Sequence, residues 1–579
     1  MKKINLILFI VIGFLQVNAQ KLYKLQIKNN SIHSEISKID YKKEFYDTLE
    51  RKKELYNYLN KLYEKGYLAA YFDSIRTTDS VSMLATIIPG KIYKWVIIKK
   101  ANVDEDFLKQ FTGRKNIDGK TTMLYSDIIK LNKKIIEHFE NNGYPFVSVK
   151  LDSIETDSNV SKAVLNIERN KKYNIDSIIV KGNAKISKRY LFGFLGIEEG
   201  SVYDESQIKK ISARLKEISF IKEAKSYNLI FTPKYSKIIL YLQKNKSSQF
   251  DGIVGFKQND KNPSKIDLTG EVHLNLINSF GRGEFMSFNW RSLQEKTQDL
   301  KINFTYPYLF STPFGIDLKF SIYKKDTTYI TITRNIGIQY FFSGRDYLKF
   351  FLDNKSSNIL STVGLKSTTV LPDYADIENN IYGLEFKREH LDYVLNPRRG
   401  HFIKISIGAG TKNIKKNSEI NSEVYNNIKL NSEQYHIESE LDNYFSVSHR
   451  SVIKLGSQCG WIINDNLFQN ELFKIGGLKT LRGFDEESIF ASKYSILTAE
   501  YRFLFEEKSY LFGFFDWAYY ENFSSNKKNI HDTPYGFGAG ISFETKAGIF
   551  SISYALGKQF NNPIYFKNSK VHFGIVNYF

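Results

Sequence analysis

Leu300-Lys301-Ile302-Asn303-Phe304-Thr305-Tyr306 sorts its apolar and polar residues with a period of two. That period places the two sets on opposite faces of a strand. The pattern continues outward from there. Ile316, Leu318, Phe320 and Ile322 alternate with Asp317, Lys319, Ser321 and Tyr323. Tyr535, Phe537, Ala539, Ile541 and Phe543 alternate with Gly536, Gly538, Gly540, Ser542 and Glu544, and Phe550, Ile552, Tyr554 and Leu556 alternate with Ser551, Ser553 and Ala555. From Ser248 to Phe579 the chain reads as about sixteen such runs of roughly 10–15 residues.

Alternation alone fits two architectures. A soluble sandwich buries the apolar face, whereas a transmembrane barrel turns it to lipid and keeps a polar lumen. An even number of long strands, with short turns and long loops near 355–379, 412–432, 466–492 and 521–533, fits the barrel. A closed barrel also satisfies every backbone group in hydrocarbon, which an open sheet does not.

The N-terminus supplies a route to a membrane. In MKKINLILFIVIGFLQVNAQ, Lys2 and Lys3 form a basic start, Ile4 to Leu15 an apolar run and Val17-Asn18-Ala19 a small-residue cleavage site. Cleavage is expected after Ala19. The apolar run is too short to span a bilayer comfortably, and no later stretch is long and apolar enough to do so as a helix. No Cys stands at the cleavage point, so a lipoprotein anchor is not expected.

Composition agrees. The 579 residues include 45 Phe and 38 Tyr but only 10 Pro, which suits a large β-protein. The single Cys459 excludes an internal disulfide framework and a cluster of thiolate ligands. A net charge of +20 invites a nucleic-acid partner. The export signal favours the other reading, in which Lys fills solvated faces.

Before the strands, Gln20 to Ser247 mixes helix and strand signals and repeats. LYEKGYLAAYFDSI around Gly66 returns as FENNGYPFVSVKLDSI around Gly143, and more weakly as ISFIKEAKSYNLIF near Ser219. An amphipathic stripe precedes each copy: Leu55, Leu59, Leu62; Ile128, Leu131, Ile135, Phe139; Ile208, Ile211, Leu215, Ile218. The unit reads strand, helix or helices, strand, strand.

The most specific stretch is Phe473-Lys474-Ile475-Gly476-Gly477-Leu478-Lys479-Thr480-Leu481-Arg482-Gly483-Phe484. Gly476, Gly477, Leu481, Arg482, Gly483 and Phe484 resemble the GG…(V/L)RG(F/Y) loop of the BamA/TamA superfamily of outer-membrane assembly and translocation factors. The repeats resemble that family's polypeptide-transport-associated (POTRA) domains. The resemblance implies a signal peptide at 1–19, POTRA-like modules at 20–91, 92–171 and 172–247, and an outer-membrane barrel at 248–579. The expected fold is thus mixed: periplasmic α+β repeats followed by a transmembrane antiparallel β-barrel of about 16 strands. The resemblance further implies that the loop folds into the lumen and that Arg482 meets acidic residues on the wall. Glu500 and Asp516 stand at the matching positions, and alternation turns both inward; Ala518 departs from the family's usual Gly. Phe573, Ile575 and Phe579 in the last strand resemble a C-terminal sorting signal, with Asn577 an imperfect match.

No H-E-x-x-H, P-loop or nucleophile-elbow motif is present. Neither a catalytic residue, a metal site nor a cofactor is therefore expected, and Cys459 reads as structural. The resemblance implies unfolded outer-membrane clients, the lipid bilayer, and a periplasmic or inner-membrane-anchored protein as partners, with no nucleic acid. It places the chain in the outer membrane of a Gram-negative bacterium with its N-terminal modules in the periplasm. Three modules suit the TamA-like branch. A two-partner secretion pore for one exoprotein and a passive porin or lipid-handling channel stay open as alternatives.

Overall fold

A computed structural model describes residues 22–29, 36, 39–100, 107, 110–111, 122–158, 160–259, 262–292, 296–365, 368, 370, 372–393, 396–426, 428–506, 508–524, 529–545, 548–560 and 562–578. The expected signal peptide and Phe579 lie outside the described residues. Two compact units divide the chain: residues to Asn174 with Val202–Ser206, and Ile175–Ser201 with the chain from Gln207 onward.

The first unit holds two small sheets. Tyr23–Asn29 runs parallel to Ser82–Ile88, which pairs antiparallel with Tyr71–Thr77. Glu44–Phe45 extends the sheet beside Tyr23–Asn29. The helix Thr48–Glu64 buries Leu55, Tyr58 and Leu62. Leu59, expected on that face, is only partly buried. Tyr58 occupies the stripe instead, at spacings of three and four from its neighbours, and its hydroxyl reaches the Ile36 carbonyl at 3.4 Å. The second sheet repeats the plan: Lys94–Lys100 parallel to Val160–Glu168, and Ser148–Asp157 antiparallel to it. The helix Tyr125–Glu140 packs Ile128, Leu131, Ile135 and Phe139 inward. Both helices end on a glycine with positive φ, Gly66 and Gly143. The next N–H groups, Tyr67 and Tyr144, bond back to Leu62 and Phe139, closing the helix ends.

The second unit opens with a third module of the same topology. Ile175–Lys181 runs parallel to Ser236–Lys244, which pairs antiparallel with Ile221–Phe231. Ile208, Ile211, Leu215 and Ile218 are all buried. The helix carrying them is broken between Ile208 and Ile211 rather than continuous.

The antiparallel sheet that follows runs from Gln249–Asn259 to Lys570–Tyr578. Among the described residues it has seventeen strands, but Ile530–Asp532 and Tyr535–Thr545 pair with the same neighbour, Ser509–Asn522. They form one stave interrupted at Thr533-Pro534, where proline brings no N–H to the ladder. Sixteen staves result. The strands continue past the expected loop starts: Asp346–Ile359 and Gly400–Lys415 end later than 355 and 412. There the outward face turns polar, with Asn358, Asn413 and Lys415 exposed, while Ile359 and Ile414 pack inward, so the apolar-out alternation ends while the ladder persists.

Large apolar side chains point outward, among them Ile336, Phe350, Leu384 and Ile407, each more than half exposed. Charged groups point inward: Asp317, Lys349, Glu385 and Arg502 are all buried. A soluble sandwich has the opposite arrangement. An apolar exterior around a polar lumen is what a barrel needs in lipid. Among the described residues the first and last staves meet over two residue pairs, Gln249 with Tyr578 and Phe250 with Asn577. Other neighbouring staves register over seven pairs or more.

Candidate functional site

The segment between Ser451–Ile463 and Lys493–Glu506 folds inward as a small hairpin, Phe473–Ile475 pairing with Ile489–Ala491. Gly476 and Gly477 turn it with positive φ. The Gly476 N–H donates to the Thr480 hydroxyl at 2.9 Å, and the Gly477 N–H to the Leu481 carbonyl at 3.0 Å. Leu481 and Phe484 pack in an apolar cluster with Ile475, Ile489, Ile496 and Ala518. The methyl of Ala518, where the family pattern has Gly, is part of that packing.

These contacts aim Arg482 at the wall. Its Nε donates to Asp516 Oδ2 at 2.7 Å and its Nη2 to Oδ1 at 2.7 Å, a two-point clasp. Its Nη1 donates to Glu500 Oε2 at 2.5 Å. Its backbone N–H also reaches Asp516 Oδ2, at 3.1 Å. The guanidinium lies 3.6 Å over the Phe514 ring, a stacking position that suits a planar cation. Arg482 and Glu500 are each 8% exposed and Asp516 is fully buried. Charges this dry persist only when matched.

Several participants were invisible to motif reading. Arg502 Nε donates to the other Glu500 oxygen at 2.8 Å, and its Nη1 to Asn396 Oδ1 at 3.1 Å. Glu500 is thus shared by two arginines, and the network reaches the turn before Gly400. Gly536 and Gly557 form the wall against which the loop backbone lies; a Cβ at Gly557 would fall 2.6 Å from the Gly483 carbonyl oxygen. The outer part of the same segment is also pinned. Lys412 bonds to Glu471, with both side chains buried, and Lys355 donates to the Glu471 carbonyl at 3.2 Å.

In the last strand, Phe573 and Ile575 register with Ile552 and Phe550. Their side chains lie outside the described residues. Cys459 is a half-buried free thiol beside Ser457 and Ser495. Among the described residues no group of three or more His, Cys, Asp or Glu is placed to hold a metal ion, and no helix is long and apolar enough to cross a membrane.

The Omp85 superfamily domain matches residues 278–579, which include the loop, Glu500 and Asp516. The chain belongs to the Omp85 superfamily. This Omp85 chain is similar in structure to CdiB from Escherichia coli, with 13% identity, a TM-score of 0.51 and coverage of 92% of this chain and 98% of that one. CdiB from Acinetobacter baumannii gives 14% identity, a TM-score of 0.51 and coverage of 84% and 89%. BamA from Haemophilus ducreyi lacking POTRA domains 1–3 gives 14% identity, a TM-score of 0.42 and coverage of 84% and 100%. No curated protein matches the chain. At such identities the CdiB likeness shows the fold of the Omp85 chain: POTRA-like modules ahead of a barrel.

Proposed function

We propose that this Omp85 chain is an outer-membrane assembly or translocation factor that accepts unfolded β-barrel clients by strand addition. The observation that carries the reading is the short seam between Gln249–Asn259 and Lys570–Tyr578, paired over two residue pairs among the described residues. An unpaired strand edge presents N–H and C=O groups that an extended chain satisfies. The modules offer further edges, since Tyr71–Thr77, Ser148–Asp157 and Ile221–Phe231 each lie at the end of a sheet. A client passed from module edges to the seam exchanges one ladder for another and keeps its backbone paired.

In this reading the chain sits in the outer membrane with its modules in the periplasm, its last strand carries the sorting signal, and its three modules suit the TamA-like branch. It works without a cofactor or catalytic residue, and the Arg482 loop braces the barrel while the seam exchanges strands. Deleting the gene and comparing outer-membrane proteomes tests the proposal. Depletion of many barrel proteins is the expected result. Loss of a single exoprotein overturns it in favour of a secretion pore. Altered solute uptake with an unchanged proteome overturns it in favour of a passive channel.

A further inference from the structure

Beyond Arg482 the loop carries three consecutive acids, Asp485-Glu486-Glu487, with partners on both sides of the seam. Asp485 Oδ1 lies 2.7 Å from Lys570 Nζ, and Lys570 begins the last stave. On the other side stands Arg291, in the third stave Phe285–Ser292. Arg291 bonds to Glu487 and approaches Glu486 at 4.0 Å. Lys474 at the base of the loop backs Glu487 at 3.9 Å. Two longer-range interactions point the same way: Lys479 acts on Asp251 of the first stave, and Glu486 and Asp485 act on His572 of the last. One loop therefore places charges opposite the first, third and last staves, across a junction whose own ladder is two pairs long among the described residues.

We infer that Asp485-Glu486-Glu487 is a latch across the seam, pairing with Lys570 on one side and Arg291 on the other and so favouring the closed barrel. The inference rests on the barrel alone and holds whatever the client is. When the seam parts, the last and third staves separate, and the loop cannot stay paired to both. The Asp485 pair is about half exposed and the Glu487 pair is about three-quarters buried. Two pairs of this kind change the open-to-closed ratio by about fivefold, and less as salt screens the exposed one.

Backbone hydrogen exchange at the seam reads that ratio, since amides of a mostly closed ladder exchange in proportion to the open fraction. In full-length protein in outer-membrane vesicles, exchange is followed in peptides covering Gln249–Phe250 and Asn577–Tyr578. Asp485→Asn with Glu486→Gln and Glu487→Gln is expected to speed exchange there about fivefold while heat-modifiable gel mobility stays native. High salt is expected to speed it in the parent and not in the neutral-tip variant. Equal exchange rates in parent and variant overturn the latch. Should the neutral tip fail to fold, Glu487→Arg alone and with Arg291→Glu decides the matter. Faster exchange reversed by the swap supports the latch, and a swap that reverses nothing overturns it.

Discussion

A Cβ atom on Gly536 would overlap the carbonyl oxygen of Arg482. The loop backbone is seated on a stave that has no side chain at that point, and this brings the guanidinium within reach of Asp516. Gly536→Ala must push the loop or the stave aside, at a cost of about 1–3 kcal/mol from overpacking. The expected outcome is loss of heat-modifiable mobility at a lower temperature. Gly513, on the neighbouring stave, meets only the Gly538 carbonyl at 3.9 Å. Gly513→Ala should therefore change little, and equal losses in the two variants would remove the close-approach argument.

Arg482→Ala leaves Glu500 and Asp516 buried without their shared partner. A broken dry pair costs on the order of 3–5 kcal/mol. Arg482→Lys keeps the charge but cannot clasp both Asp516 oxygens and Glu500 together, so it should fall between parent and alanine in the same melting assay. In Arg482→Ala with Asp516→Asn the losses should sum to less than the two singles, because the second change removes a charge that the first left stranded. Strict additivity would show that the two residues do not depend on each other.

Much of this was readable from the sequence because it is local. A period of two tells which residues share a face, so the inward turn of Glu500 and Asp516 follows from Leu497, Tyr501, Phe515 and Trp517 pointing outward. Helical stripes behaved alike, with Tyr58 displacing Leu59 because three- and four-residue spacings compete on one face. What stayed hidden depends on curvature and closure. Arg291 meets Glu487 only because the sheet bends round to bring residues 196 positions apart together. Gly536 and Gly557 read as ordinary small strand residues until a loop from elsewhere lies on them. Alternation puts Arg502 on the same face as Glu500, but nothing in its neighbours indicates that it shares Glu500 with Arg482. Pro534 marks an interruption that periodicity alone does not reveal.

The third module is docked on the barrel through aromatic rings set against glycines. The Tyr308 hydroxyl donates to the Gly344 carbonyl at 2.9 Å, and its ring fills the space where Gly193 would carry a side chain. Tyr190 lies edge-on to Tyr308, with ring centroids 5.7 Å apart. Gly193→Val should release the module while leaving the barrel melting temperature nearly unchanged. Trypsin cleavage at Lys246 reports the release, since Ser247 and Ser248 beside it are buried. Cleavage is expected to accelerate by about tenfold, as for a local opening made 1–2 kcal/mol easier. An unaltered cleavage rate would show that the aromatic contact does not hold the module.

The same dock should weaken as pH rises, through Glu217 on the helix Ile211–Glu217. A side chain at Gly344 would bring its Cβ within 2.9 Å of the Glu217 Oε2, so the carboxyl is pressed against a barrel turn. Burial raises its carboxyl above the ordinary value of 4.5, and Asp346 adds to the rise, while His390, Arg345 and Arg214 oppose it. The docked state therefore holds the proton more tightly than the released state. Docking is strongest below the ordinary carboxyl pKa and loses stability as pH climbs through the raised one. Glu217→Gln mimics the protonated group and removes that slope. Amide hydrogen exchange in Lys188–Leu195, corrected for intrinsic rates, separates the two proteins. Their protection should match at pH ~4 and diverge above it, with the variant better protected. Comparison with glutamine cancels groups that titrate alike in both. A constant ratio across the range would show that the ionised carboxylate carries no penalty at the dock, and a ratio that moved the other way would mean that the attraction to Arg214 and Arg345 outweighs the burial.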